Sequence, residues 1–261
     1  MLRALATAAT GMEAQQTKLD VTANNIANVS TAGFKKSRVE FADLMYQTSR
    51  PAGATTGAGT SAPGGLEVGL GVRVAATHRL LSQGEMRQTG NQLDVAIEGQ
   101  GFFQVQLPSG DVAYTRNGAF QLDAEGRLVT SEGYPLAGDL AVPIEAQAVS
   151  ISPDGTVTAV VPGDPQPQNL GQLQIATFAN PAGLEPMGKT LFRESGASGA
   201  VVLGAPGEGG TGSLLQGAVE LSNVNVVEEM IDLISGQRAY EVNTRVIKAA
   251  DEMLGQTAQL R

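Results

Sequence analysis

The sequence predicts an α+β chain: long N- and C-terminal helices paired as a coiled-coil-like core, with a central, mainly antiparallel β domain. Three observations predict it. Apolar residues at the N-terminus recur at steps of three and four. The C-terminal segment from Asn225 repeats that pattern on two stripes. Between the ends the period falls to two, and Gly-containing turns punctuate it.

The first helix is drawn from Leu2, Leu5, Ala9, Met12, Gln16, Leu19, Ala23 and Ile26, a heptad seam in which only Gln16 is polar. Asn24, Asn25 and Asn28, followed by Gly33, are the stop signals. Asn side chains satisfy backbone groups where a helix ends, so this corner has two readings: an ordinary C-cap, or a fixed turn that sets how the β domain leaves the core. The last helix starts at Asn225, with Glu228 placed as in a capping box, and is expected to run to about Leu260. One stripe holds Val226, Met230, Leu233, Tyr240, Ile247 and Leu254. A second holds Val227, Ile231, Ile234, Val242, Val246, Ala249, Met253 and Leu260. Gly236 inside this helix reads as a point of close packing or bending, because glycine there costs about 1 kcal/mol.

The middle reads as strands over roughly residues 90–205. Asp94 to Glu98, Phe103 to Leu107 and Gln172 to Phe178 alternate, and Asn117-Gly118, Glu125-Gly126 and Asp154-Gly155 supply turns. Residues 46–72 are rich in Gly, Ala, Thr and Pro, and composition alone reads them as a flexible linker.

Charge is distributed unevenly. Five basic and four acidic residues give +1 over residues 1–47; four and six give −2 over 221–261; eight and sixteen give −8 over 48–220. Near-neutral ends tolerate crowding against copies of themselves, and a net charge of −9 argues against a nucleic-acid partner. A lone end helix does not bury enough apolar surface to offset the entropy of ordering it. The wide C-terminal face exceeds what two strands of a coiled coil cover. A coiled-coil homodimer with a β head and a higher-order assembly both remain open on periodicity.

Chemistry finds little footing. There is no Cys, so no disulfide, thiolate metal site or Cys nucleophile, and His78 is the single His. No metal or cofactor site is expected. Gly183, Gly188, Lys189 and Thr190 match the phosphate-loop spacing, but Leu191 to Gly199 does not read as the helix that such a loop must open. Gly99 and Gly101 read as a strand-to-strand turn. His78 lacks a nucleophile on a sharp elbow. Sixteen acids in the middle read as a solvated surface, and a sugar-cleaving pair would want the aromatic platforms that a Trp-free chain lacks. No apolar run is long enough to span a membrane. Met1 to Gln16 lacks the apolar stretch of a cleaved signal peptide.

The ends carry more than heptads. Ala23-Asn24-Asn25-Ile26-Ala27-Asn28 and Thr31-Ala32-Gly33-Phe34-Lys35 resemble the N-terminal signature of the flagellar rod and hook proteins. Leu221-Ser222-Asn223-Val224-Asn225, Met230-Ile231 and Gln237-Arg238-Ala239-Tyr240-Glu241 are similar to the C-terminal one. Leu93 to Ile97, Gly99 to Phe103, Tyr114 to Gly118 and Gly126 to Thr130 match in the middle. The stretch from Tyr46 through Gly69-Leu70-Gly71-Val72-Arg73 to Ser82-Gln83-Gly84 resembles the segment of the distal-rod members.

The resemblance implies a structural subunit, not an enzyme, that polymerises into a rigid tubular drive shaft from motor to hook. It implies a discontinuous helical domain of residues 1–45 and 216–261 lining the tube, an extended segment over 46–90 packed between subunits, and a β-rich outer domain over 91–215. Implied partners are copies of the chain, proximal rod and hook proteins, the surrounding P- and L-rings and the flagellar export apparatus, with no cofactor. The implied location is the basal body, where the rod crosses the periplasm. The residues expected at subunit interfaces are Leu2, Leu5, Met12, Leu19, Ile26, Val226, Met230, Leu233, Tyr240, Ile247 and Leu254, with Asn24, Asn25, Asn28 and Gly33 at the helix-end corner. A proximal rod or hook-like subunit is the runner-up; a secreted β-domain enzyme on a coiled-coil stalk is the alternative outside the family.

Overall fold

The computed structural model describes residues 2–57, 60–61, 63–138, 140–162 and 166–259. The chain divides into two compact units, one of residues 1–27, 37–78 and 225–261, the other of residues 28–36 and 79–224.

The first unit holds both long helices, α1 (Leu2–Ala27) and α2 (Val226–Gln259). Asn225 caps α2, its Oδ1 accepting the Val227 N–H at 3.1 Å. Glu228 and Glu229 sit in the first turn, where the helix dipole favours carboxylates. The helices run antiparallel: Met12 meets Thr244, Lys18 meets Asp232 and Asn25 meets Glu229. Leu260, expected on the second stripe, lies outside the described residues.

Residues 46–72 are not the linker that composition suggests. Strands β1 (Ser37–Asp43), β2 (Tyr46–Arg50), β3 (Thr55–Gly57), β4 (Thr60–Ser61), β5 (Leu66–Gly69) and β6 (Val72–Arg79) nest as a hairpin ribbon, β1 on β6, β2 on β5 and β3 on β4. Every residue of β2 is exposed, so backbone pairing alone builds it and no side-chain period marks it. Gly71 (φ +120°) is where the ribbon meets α1: the Val72 N–H reaches Thr10 Oγ1 at 3.4 Å, and a Cβ on Gly71 would fall 2.2 Å from that oxygen.

The second unit is β-rich, from β7 (Met86–Gln88) to β21 (Ala218–Glu220), somewhat wider than the span read from the sequence. Its largest sheet is antiparallel and six-stranded. The order is β17 (Glu185–Gly188), β18 (Leu191–Arg193), β10 (Val112–Thr115), β9 (Phe102–Gln106), β16 (Ile175–Thr177), β19 (Val202–Gly204). Beside it lie the hairpin of β11 (Phe120–Leu122) and β12 (Leu128–Thr130) and the three-stranded sheet of β13 (Ala148–Ile151), β14 (Thr156–Val160) and β15 (Gln168–Gln172). β8 (Val95–Glu98) pairs with β20 (Ser213–Gln216), and β7 with β21. Phe103 and Phe120 pack edge to face at 5.0 Å in the main core; Phe102, Tyr114, Phe178 and Phe192 form a second cluster.

The three turn signals fall between strands, as expected. The run Gln172 to Phe178 is two strands, not one. Leu173 breaks it by donating its N–H to Gly155 O at 2.8 Å and burying its side chain.

Candidate functional site

On α2 the buried and half-buried residues that recur at steps of three, four or seven are Glu229, Leu233, Gly236, Asn243, Ile247, Ala250 and Leu254. Glu229, Gly236 and Ala250 are buried; Leu233, Asn243, Ile247 and Leu254 are half-buried. Gly236 sits against Leu19, whose Cδ2 would lie 3.0 Å from an added Cβ, and α2 continues unbroken through it. Of the two sequence readings for that glycine, close packing is the one observed.

On α1 the matching residues are Leu5, Ala8, Met12, Gln15, Leu19, Thr22 and Ile26. This corrects the expected seam. Leu5, Met12, Leu19 and Ile26 hold their places, but Ala9, Gln16 and Ala23 are exposed, and Ala8, Gln15 and Thr22 point inward instead. Small and polar residues stand at both neighbouring positions, so hydrophobicity could not choose between them. The side chain of Leu2 lies outside those described.

Among the described residues, nine further large apolar side chains of α2 are uncovered. Val226 (39% exposed), Met230 (53%) and Tyr240 (40%) belong to the first stripe; Val227, Ile231, Ile234, Val242, Val246 and Met253 form the second, with Ile231 at 63% and Val227 at 66%. Soluble domains seldom leave so long an apolar face in water. The ribbon adds Met45, Tyr46, Leu66, Val68 and Leu70, all at least 40% exposed.

The Asn corner separates into distinct roles. Asn25 is buried: its Nδ2 donates to Ser37 O (2.9 Å) and Glu229 Oε2 (3.1 Å), and its Oδ1 accepts the Ser37 N–H (3.0 Å). It therefore ties the start of β1 and the first turn of α2 to α1. Asn24 is exposed on α1. Asn28 accepts the Thr31 N–H on its carbonyl and the Thr31 hydroxyl on Oδ1, closing a turn. Gly33 (φ +70°) gives its N–H to Glu220 O at 2.9 Å, and a Cβ there would lie 2.5 Å from Asn117 N.

The β unit holds a feature that sequence reading missed. The Glu220 carboxylate is fully buried, held by Lys35 Nζ on Oε1 and by Arg116 Nε at 2.6 Å on Oε2. Gly84 N–H also donates to Oε1 at 2.8 Å. Lys35 gives a further bond to Ser82 O, and Arg116 spends its other nitrogens on the carbonyls of Ile97, Gly99 and Gly101. Burial pushes the Glu220 pKa up, but Arg116 and Lys35 outweigh it and hold the carboxyl below its ordinary value. Burial also lowers the Lys35 pKa, with Glu220 opposing. Charged residues in a sequence read as solvated, so nothing in the text announces three of them interred together.

Nucleotide chemistry finds no support in the phosphate-loop match. Glu185 to Gly188 is a strand, Lys189 and Thr190 form a tight turn, and β18 follows where a helix would be needed. Lys189 is paired with Glu132. Gly99 and Gly101 link β8 to β9, and His78 is exposed on β6.

Family models match three stretches: flagella basal body rod protein over residues 5–35, the flagellar hook protein FlgE/F/G D1 domain over 96–159, and the flagellar basal body rod FlgEFG protein C-terminal region over 215–260. Flagellar basal-body rod proteins FlgG from Buchnera aphidicola (subsp. Acyrthosiphon pisum) and Caulobacter vibrioides are each 48% identical to the chain, and that from Bacillus subtilis is 43% identical; in all three cases both chains are covered in full. The chain belongs to the flagellar basal-body rod protein family. It is accordingly a structural subunit of the flagellar distal rod and not an enzyme, it self-assembles, and its place is the basal body. Family membership also gives the buried ions a context. Lys35, Arg116 and Glu220 each fall in a different one of the three matched stretches, and all three lie in the β-rich unit.

Proposed function

We propose that this rod subunit polymerises through its helices into a rigid tubular drive shaft that passes torque from motor to hook. The observation that carries this reading is the uncovered apolar face of α2, which a second copy is the simplest means of burying. Residues 1–45 and 216–261 form the polymerising core, with α1 and α2 paired in coiled-coil fashion along the inside of the tube. Residues 46–90 pack between subunits as the distal-rod segment, and residues 91–215 form the outer domain.

Two kinds of seam residue serve this assembly. Leu5, Met12, Leu19, Ile26, Leu233, Ile247 and Leu254 set the helix pair, while Val226, Met230 and Tyr240 are free to meet neighbours. Leu2 belongs to the same proposed interface. The Asn25 tie, with Asn24, Asn28 and Gly33 beside it, fixes the corner. Proximal rod and hook proteins lie at the two ends of the shaft, the P- and L-rings surround it, and the export apparatus delivers it across the periplasm.

The test is assembly of the purified chain followed by sedimentation and electron microscopy, with Ile231→Asp as the probe. Ile231 is 63% exposed, so the variant should fold as before but fail to form tubes. Tubes formed as readily by the variant would remove the α2 face from the interface. A small, fixed, fully helical oligomer of the unmodified chain would reopen the polymer reading itself.

A further inference from the structure

The tight turn after β17 that mimics a phosphate loop is a two-residue hairpin with left-handed backbone at both positions, but it carries Lys and Thr where such turns favour Asn and Gly. Lys189 (φ 55°) and Thr190 (φ 59°) are, among the described residues, the non-glycine residues in the left-handed region. A β-branched residue there is a genuine outlier, and strain of this kind marks positions where a side chain is wanted. Met187, two residues before, is 44% exposed. The apex therefore offers one large apolar side chain and one ammonium group. The exposed pair that Lys189 makes with Glu132 is readily exchanged for another carboxylate.

The same β unit contains a surface of complementary character. A groove of 640 Å³ is lined by Leu93, Leu122, Val142, Pro143, Ile144 and Val149, among others. Ile144 is 85% exposed and Leu122 41%. Its acidic neighbours are Asp123, Glu125 and Glu145; the cation beside them, Arg127, is already held by Asp123 and Glu125. The surroundings are thus apolar with net negative charge, which suits an apolar residue followed by a lysine. The groove and the turn also lie at opposite ends of β12. Gly126 lines the groove just before β12, while Glu132 and Tyr134, in the turn just after it, hold Lys189. Two unlike surfaces at opposite ends of one element make a head-to-tail contact, the kind that builds rings or helical filaments and not a closed two-fold pair.

We propose that the Met187–Thr190 turn of one copy docks into the Leu122–Ile144 groove of a second copy, seating Met187 on Ile144 and Lys189 against Glu145. The contact joins β units along the assembly and rests on the polymer reading above. A chain without cysteine makes the test direct. Met187→Cys and Ile144→Cys are placed together in the full chain, which is assembled under reducing conditions and then oxidised. Docking gives a ladder of covalent multimers from assembled material and monomer from dilute material. Leu122→Cys with Met187→Cys serves as a second pair for the same groove, and Leu203→Cys with Ile144→Cys as the control. Tubes whose two test pairs yield no more ladder than the control would overturn the docking while leaving polymerisation intact. Failure of the unmodified chain to assemble would overturn both.

Discussion

Replacing Glu220 by Gln should cost the β unit more than any exposed substitution in the chain. The carboxylate is fully buried between Lys35 and Arg116, whose side chains are 2% and 5% exposed. Gln keeps the shape but removes the charge, and its amide can turn only one oxygen toward two cations. Removing one partner from a buried ionic group costs about 3–5 kcal/mol, because the remaining charge stays interred without compensation. For a unit of this size, 1 kcal/mol moves the melting temperature by about 2–4 °C, so a fall of about 10 °C is expected. Thermal melts followed by near-ultraviolet dichroism read it out, with the tyrosines reporting since the chain has no Trp. Helix unfolding is followed separately at far-ultraviolet wavelengths, because two units need not melt as one. The pH profile supplies an independent check. Glu220 is held below its ordinary value, so its contribution is fully present above that value and is lost as pH falls through the folded pKa. Lys35 is also lowered, chiefly by burial; the folded state sheds that proton first, so the cost of its charge is relieved as pH rises toward 10.5. A Glu220→Gln melt within 3 °C of the parent, with an unchanged acid limb, would refute the reasoning.

Three further perturbations probe the corner, the seam and the turn. Asn25→Ala removes both bonds to the Ser37 backbone and leaves Glu229 short of a donor; a loss of about 1–3 kcal/mol is expected in urea unfolding, and a loss below 0.5 kcal/mol would show the tie to be dispensable. Gly236→Leu forces a side chain into the space held by Leu19; the helix signal should melt earlier by about 1–3 kcal/mol despite the better helix propensity of Leu, and a rise in stability would mean that the helices part there. Thr190→Gly relieves a left-handed β-branched residue and should raise the melting temperature of the β unit, since that conformation costs about 1–2 kcal/mol; a fall would show that the Thr190 hydroxyl matters more than the backbone strain.

How much of this was legible follows from what each element buries. The helices were legible because large apolar residues such as Leu5, Met12, Leu19 and Ile26 recur at helical spacing, and the helix pair needs them. Their exact phase was not, because Ala8 and Ala9, or Thr22 and Ala23, differ too little in apolar character to say which one faces the partner. The β unit announced itself through turns such as Asp154-Gly155 (Gly155 φ +86°), where glycine is a steric requirement and not a preference. The ribbon was hidden for the opposite reason. Strands β2 and β5 are almost wholly exposed, so Tyr46 to Arg50 carries no period, and the pairing resides in backbone groups common to every sequence.

The ion cluster was hidden by a different cause, and that cause bears on how the subunit works. A buried carboxylate with two cations is a weak way to gain stability but a strict way to fix geometry, because any displacement exposes an unpaired charge to a low-dielectric interior. Here the strictness falls inside the β-rich unit, where Lys35, Ser82, Gly84, Arg116 and Glu220 come together from distant parts of its sequence. Asn223 reinforces the same place, accepting the Lys36 N–H on Oδ1 at 2.7 Å and donating to Leu80 O at 2.8 Å. Apolar packing in its place would tolerate sliding, since one methyl contact replaces another at little cost. Directional bonds to a single carboxylate do not. Glu220 and Asn25 thus hold geometry in a way that apolar residues do not: each is buried and each spends directional bonds on several partners at once.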